Sequence, residues 1–342
     1  MPVPVQGLRT RLTQLLNIRT PVICAPMAGA SGGRLSCCIP LQFPILKRIR
    51  PPGADPPEKL RDELSLATKN LPARLPGARL PIGVGFVGWQ LDAAPQATEL
   101  VRMALEHHVA AIWLAFGTNA SLANWARFIR THEPDDKRTQ IFFQTASPED
   151  ARTAVNEWDV DIVVAQGCES GGHGFADAPP IITLLPAMRA ALPDHVPVLV
   201  AGGLALGSQL ACMLAMGASG AVFGTLFGSQ RHALLSANSQ STMRTMAFDH
   251  ARGTLGWPAG VDGRGLRNDT VADFENGDDH EEIRRKYRSA VEQNDTSRTI
   301  VWAGTGVGLM ETVKPAKDVV EELHADCVRH LGAVTRVCIP TQ

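Results

Sequence analysis

DIVVAQGCESGGHG, residues 161–174, runs from an unbroken apolar segment straight into a glycine-rich turn holding one imidazole. Four apolar or small residues in succession, without polar alternation, suit a strand covered on both faces in a parallel sheet. A turn directly after such a strand lies at the carboxyl end of the sheet, where barrel enzymes build their active sites. Glycines let backbone approach a flat ligand closely, and an imidazole exchanges protons near neutral pH. His173 is therefore the leading candidate for proton chemistry. A histidine in a mobile surface turn has the same local spacing; the strand-end position favours the chemical reading.

The same pattern recurs outward in both directions. Residues 20–27 (TPVICAPM), 82–87 (IGVGFV), 110–116 (AAIWLAF), 140–144 (QIFFQ), 197–201 (PVLVA) and 221–225 (AVFGT) are further short apolar runs ending in Gly or a small or polar residue. Between them lie helix-like stretches. Residues 94–108 are one; residues 148–158 follow Ser147 as an N-cap with acids in the first turn, and 208–216 end at Gly217 as a C′ residue. This alternation predicts an α/β fold, a TIM (β/α)₈ barrel. Only seven good strands are visible. The missing one belongs between Met27 and Ile82, where six prolines fall between Pro40 and Pro57 and remove strand donors. A degraded second strand over 45–49 is the expectation. The domain reading is a barrel over 1–235, a small, mainly helical cap over 236–300, and a loop and helix over 301–342 that pack back on the barrel.

Composition narrows the function classes. The 342 residues are 44% hydrophobic and 20% charged with a formal net charge of -1, so neither nucleic acid nor an anionic membrane is indicated as a partner. Seven cysteines, an odd number without C-x-x-C spacing, suit free thiols in a reducing compartment, and the cytoplasm is the expected location. No signal-peptide pattern and no run of about 18 apolar residues is present.

Two more turns carry chemistry. Gly202 and Gly203 follow one strand and precede a helix; Gly224 and Thr225 end the next strand. Turns after the last two barrel strands are the usual phosphate site, because backbone N–H groups and a helix N-terminus converge there. Gly83, Gly85 and Gly88 fit the dinucleotide pattern G-x-G-x-x-G, but the strand it requires should precede the first glycine. Proline-rich LPARLPGARLP stands there instead, so these glycines are assigned to a strand and its end. No metal-ligand spacing, nucleophile elbow or Walker loop occurs.

Taken together and in order, PVICAPMAGASGG, PIGVGFVGW, DIVVAQGCESGGHG, PVLVAGGLALGSQLACMLAMGASGAVFGT, RTMAFDHARGTLGWPAGVDGRGLRN and WAGTGVGL resemble the nitronate monooxygenase (2-nitropropane dioxygenase) family, in its fungal type. The resemblance implies FMN in a TIM barrel and oxidation of alkyl nitronates or nitroalkanes by O2 to carbonyl compounds and nitrite. It implies that Ala25, Pro26 and Met27 line the flavin ring, that Gln144, Gln166 and Gly171 lie near it, and that Gly202, Gly203, Gly224 and Thr225 hold its phosphate. His173 matches the family's histidine, and Gly304, Gly306 and Gly308 close the site from the C-terminal side. The sequence departs from the family over 34–52, at Leu226 where the pattern has arginine, and in a shortened helix over 228–240. Two other readings stay open: an FMN barrel of enoyl-thioester reductase type, and a non-catalytic or defective family member.

Overall fold

The computed structural model describes residues 7–27, 43–48, 57–71, 79–228 and 230–334. Eight strands close a parallel barrel: β1 (Val22–Cys24), β2 (Phe43–Arg48), β3 (Leu80–Val87), β4 (Val109–Ala115), β5 (Gln140–Thr145), β6 (Ile162–Gln166), β8 (Val198–Ala201) and β9 (Gly220–Phe223). The ring closes where Val22, Ile23 and Cys24 pair with Ala221, Val222 and Phe223.

The apolar runs are unbroken because each strand feeds two cores. In β4, Ala111, Trp113 and Ala115 point into the barrel, while Ile112 and Leu114 pack outward under the helices. Phe142 of β5, Ile162 and Val164 of β6 and Leu199 of β8 continue the inner layer, and their neighbours face outward. The same parity carries Gln144 and Gln166 inward at the carboxyl ends of β5 and β6, where the inner layer turns polar. Gly83 and Gly85 lie inside β3, and Gly85 is in register with Trp113, so the missing side chain leaves room beside the indole. These glycines sit within a strand, as their sequence context implied.

The second strand, expected in degraded form around 45–49, runs Phe43–Arg48 and pairs in parallel along both edges, Ile23↔Phe43 on one side and Ile45↔Gly83 through Arg48↔Phe86 on the other. Of the six prolines in this region only Pro44 falls in the strand, so one donor is lost and the ladder survives. Residues 34–42 and 49–52 of the divergent segment lie outside the described residues.

The helices follow their caps. Ser147 accepts from Asp150 N to start Pro148–Glu157, and Gly217 takes φ +96° just past Gly207–Ala215. Leu12, on the helix Arg11–Leu16, is fully buried in the inner cluster and plugs the barrel floor. At the other flank, Gly207 lies against backbone of the C-terminal helix Ala316–Val334, where a Cβ would meet Leu323 O at 2.3 Å.

β7 (Gly172–Phe175) leaves the barrel. It pairs antiparallel with β11 (Val261–Leu266), which pairs with β10 (Thr242–Thr245), giving a separate sheet ordered β10-β11-β7. The helices Ala247–Arg252, Asp269–Glu275 and His280–Gln293 pack together beside it around Phe248, Val271, Ile283 and Tyr287. No helix among the described residues is long and apolar enough to cross a membrane.

Candidate active site

A cavity of about 1050 Å³ opens at the carboxyl ends of the barrel strands. The eleven residues that the sequence assigns to proton chemistry and cofactor contact line it. Ala25, Pro26 and Met27 follow β1; Gln144 and Gln166 end β5 and β6. Gly171 and His173 come from the glycine-rich segment, Gly202 and Gly203 follow β8, and Gly224 and Thr225 follow β9. Its volume lies at the upper end of small-molecule sites, roughly 300–1,000 Å³. Gly304 and Gly306 close over the turns from outside, while Gly308 lies against Asn238: Gly304 N donates to Thr225 Oγ1 at 3.1 Å. A Cβ on Gly306 would meet Gly203 O at 2.1 Å.

His173 sits in the strand β7, where the sequence suggested a loop, and its backbone is held by pairing with Gly263. The segment before it is pinned on every side. Arg244 and Arg264 donate to Cys168 O at 3.2–3.3 Å, and the Glu169 carboxylate accepts from Ile181 N at the start of the helix Ile181–Ala191. Gly171 is required by contact: a Cβ there would lie 2.5 Å from Gly304 N and 2.6 Å from Ala303 C. A chain of amides completes the wall. Trp113 Nε1 donates to Gln144 Oε1 (3.1 Å), Gln144 Nε2 to Gln166 Oε1 (2.7 Å), and Gln166 Nε2 to His173 O (3.0 Å). Because the indole can only donate, both amide orientations are determined.

The His173 side chain is 5% exposed. Trp257 stacks on it with centroids 3.5 Å apart, and Trp302 meets it edge-on at 4.9 Å. Trp302 also lies against Gly263, where a Cβ would approach the indole to 2.4 Å. Asp249, on the helix Ala247–Arg252, is fully buried and lies 2.9 Å from His173 Nε2. Burial pushes the Asp249 carboxyl up, but hydrogen bonds from His173, Thr254 and Trp257 outweigh that and hold it below the usual carboxylate range.

Asp249, Trp257 and Trp302 were not picked out from the sequence. One signal for Asp249 existed: it stands in AFDHAR beside Ala247, Phe248 and Ala251, all buried, so an acid falls on a covered helix face. Leu226, where the family pattern has arginine, packs half-buried against the outer core.

Two buried polar atoms on the cavity wall, Ser170 Oγ and Gln90 Oε1, have no hydrogen-bond partner among the described residues. Gly202 and Gly203 adopt φ +131° and +68°, conformations suited to glycine, which turn their backbone beside Gly167 and Glu169. Unsatisfied polar atoms and a side-chain-free cradle at the β8 and β9 ends fit a planar, phosphate-bearing ligand.

A profile of the nitronate monooxygenase family matches residues 129–326, more than half of the chain. The chain belongs to that family. Among its relatives, a nitronate monooxygenase of Neurospora crassa is 32% identical over 304 residues, spanning 80% of this chain and 77% of the relative. The nitronate monooxygenase npaC of Metarhizium robertsii is 31% identical over 264 residues, 71% and 72% of the two chains. Solved structures share the fold. FabK from Thermotoga maritima superposes with a TM-score of 0.75 at 24% identity, covering 97% of this chain and all of that one. A nitroalkane oxidase from Streptomyces ansochromogenes gives 0.74 at 21% identity over 95% and 100%. The chain is thus an oxidoreductase of the nitronate monooxygenase family built on a TIM-type barrel, and its fungal relatives agree with the resemblance read from its motifs.

Proposed function

We propose that this protein holds FMN in the cavity at the strand ends and uses O2 to oxidise alkyl nitronates to carbonyl compounds and nitrite. Nitroalkanes become substrates once His173 has removed their α-proton. One observation carries this reading: the buried imidazole of His173 lines the same cavity as the paired turns after β8 and β9.

The residues present fit the cofactor. Backbone at Gly202, Gly203, Gly224 and Thr225 would hold the phosphate, Ala25, Pro26 and Met27 would run along the ring, and Gly171 allows close approach. The Gln144 and Gln166 amides would meet its polar edge. Bound flavin supplies the electron transfer that no side chain can perform.

The rest belongs to the chain's own residues. A nitro group withdraws electrons strongly enough that its α-carbon is acidic to an imidazole base. Trp257 and Trp302 fix the ring plane of His173 and surround it with apolar surface, which excludes water from the proton transfer and suits an alkyl substituent. The pinned segment from Cys168 into β7 keeps that imidazole in place without help from the substrate. Free thiols at Cys24, Cys168, Cys212 and Cys327 are consistent with work in the cytoplasm; burial pushes the Cys24 and Cys327 thiols up to about 12, so both are inert.

The test is direct. Purified protein is scanned for flavin absorbance, then given propyl nitronate with O2, or an enoyl thioester with NAD(P)H. Nitrite release with bound flavin is the expected result. Colourless protein, or NAD(P)H oxidation without nitrite, refutes the reading in favour of a non-catalytic member or a reductase.

A further inference from the structure

His173 and Asp249 stand 76 residues apart and meet inside the protein. The geometry around the carboxylate is one-sided. Oδ2 faces His173 Nε2 at 2.9 Å, while Oδ1 accepts from Thr254 Oγ1 at 2.5 Å and from Trp257 Nε1 at 3.0 Å. Trp257 is at once the ring stacked on His173 and a donor to Asp249. An ionised carboxylate can only accept, so the imidazole nitrogen facing it carries a proton. A neutral imidazole protonated at Nε2 has its lone pair on Nδ1.

We propose that Asp249 is a positioning residue that fixes His173 in the Nε2–H form and so makes Nδ1 the nitrogen that takes up the substrate's α-proton. This rests on the reading of His173 as the base. Buried carboxylates act this way on catalytic imidazoles generally, by holding tautomer and orientation without themselves taking the proton. Thr254 and Trp257 secure the carboxylate in turn, so its oxygens cannot exchange roles.

The arrangement makes an unusual statement about asparagine. In Asp249→Asn the amide oxygen must stay at the Oδ1 position, because the Trp257 indole only donates. The amide NH2 then faces His173 Nε2 and donates to it, which drives the ring proton to Nδ1 and removes the basic lone pair. In the double variant Asp249→Asn/Trp257→Phe that fixed donor is gone. The amide turns, its oxygen accepts from Nε2–H, its NH2 donates to Thr254 Oγ1, and the original tautomer returns.

The test combines imidazole ¹⁵N NMR of His173 with nitrite release from neutral nitroethane and from preformed ethyl nitronate, which needs no deprotonation. Wild type is expected to show Nε2–H. Asp249→Asn is expected to show Nδ1–H, with nitroethane turnover reduced on the order of 10³–10⁴-fold. Ethyl nitronate turnover should fall about tenfold or less, because uniform binding is little changed. The double variant should recover at least about tenfold of the lost nitroethane rate, a gain that two merely structural lesions would not produce. A wild-type ring protonated on Nδ1 overturns the proposal without any variant. Equal losses on both substrates, or a double variant no better than the single, overturn it as well. If wild type releases no nitrite from either substrate, the proposed reaction fails, while the NMR tautomers still decide the role of Asp249.

Discussion

Substituting Asn for His173 removes the proposed base while leaving a polar side chain in β7. General-base catalysis contributes roughly 10²–10⁴-fold, and each tenfold step is about 1.36 kcal/mol of barrier, so nitroethane turnover should lose about 3–5 kcal/mol of transition-state stabilisation. The turns proposed to hold the phosphate follow other strands, β8 and β9, and flavin content should be unchanged. The fold will register the change too. The stack on Trp257 disappears, a contact worth about 0.5–1.5 kcal/mol, and the bond to the buried Asp249 carboxylate, worth about 1.5–3 kcal/mol, becomes longer or is lost. Thermal unfolding should therefore shift down by several degrees. The assay is nitrite release from nitroethane and from ethyl nitronate at matched flavin content. Nitroethane should collapse while preformed nitronate persists. Nitroethane turnover within about threefold of wild type, in protein that retains its flavin, would refute the assignment of His173.

Other substitutions separate contact from chemistry. Gly171→Ala puts a methyl 2.5 Å from Gly304 N and 2.6 Å from Ala303 C, with backbone on both sides, so it should cost about 1–3 kcal/mol by thermal melt and loosen the His173 segment. Gly203→Ala meets Glu169 Cβ and Thr305 Oγ1 at 2.9 Å in a left-handed conformation. That strain, about 1–2 kcal/mol, falls at the proposed phosphate turn, and flavin stoichiometry after gel filtration should drop. Arg130→Ala strips donors from Asp161, Glu133, Thr139 O and Asp159 O at the base of β5 and β6, and should lower the melting temperature without changing nitrite release. For acid stability the sign follows from Asp249. Its folded value lies below its unfolded one, near 3.9, so its stabilisation is complete above that value and disappears as pH falls through the depressed folded value. Melting temperatures taken from pH 6 downward should fall more steeply for wild type than for Asp249→Asn. Parallel curves would contradict the assigned carboxylate.

Much of this protein could be read locally. Continuous apolar runs announced strands buried on both faces, and Gly or small residues at their ends placed His173, Gly202, Gly203, Gly224 and Thr225 at the carboxyl-end rim of the sheet, where they line the cavity. Those signals survive in one dimension because strand burial and backbone conformation are properties of a few neighbouring residues. The second strand was harder, since proline density argues against pairing and only the neighbouring edges of β1 and β3 show that Phe43–Arg48 completes the ring. The surroundings of His173 were beyond local reading altogether. Its pairing with Gly263, its stack on Trp257, the edge of Trp302 and the carboxylate of Asp249 bring together three separated stretches of chain, around 173, 249–263 and 302. Local sequence could nominate an imidazole; long-range pairing of β7 with β11 and the packing of the helix Ala247–Arg252 decided its partners, because such contacts exist only once the chain has closed on itself.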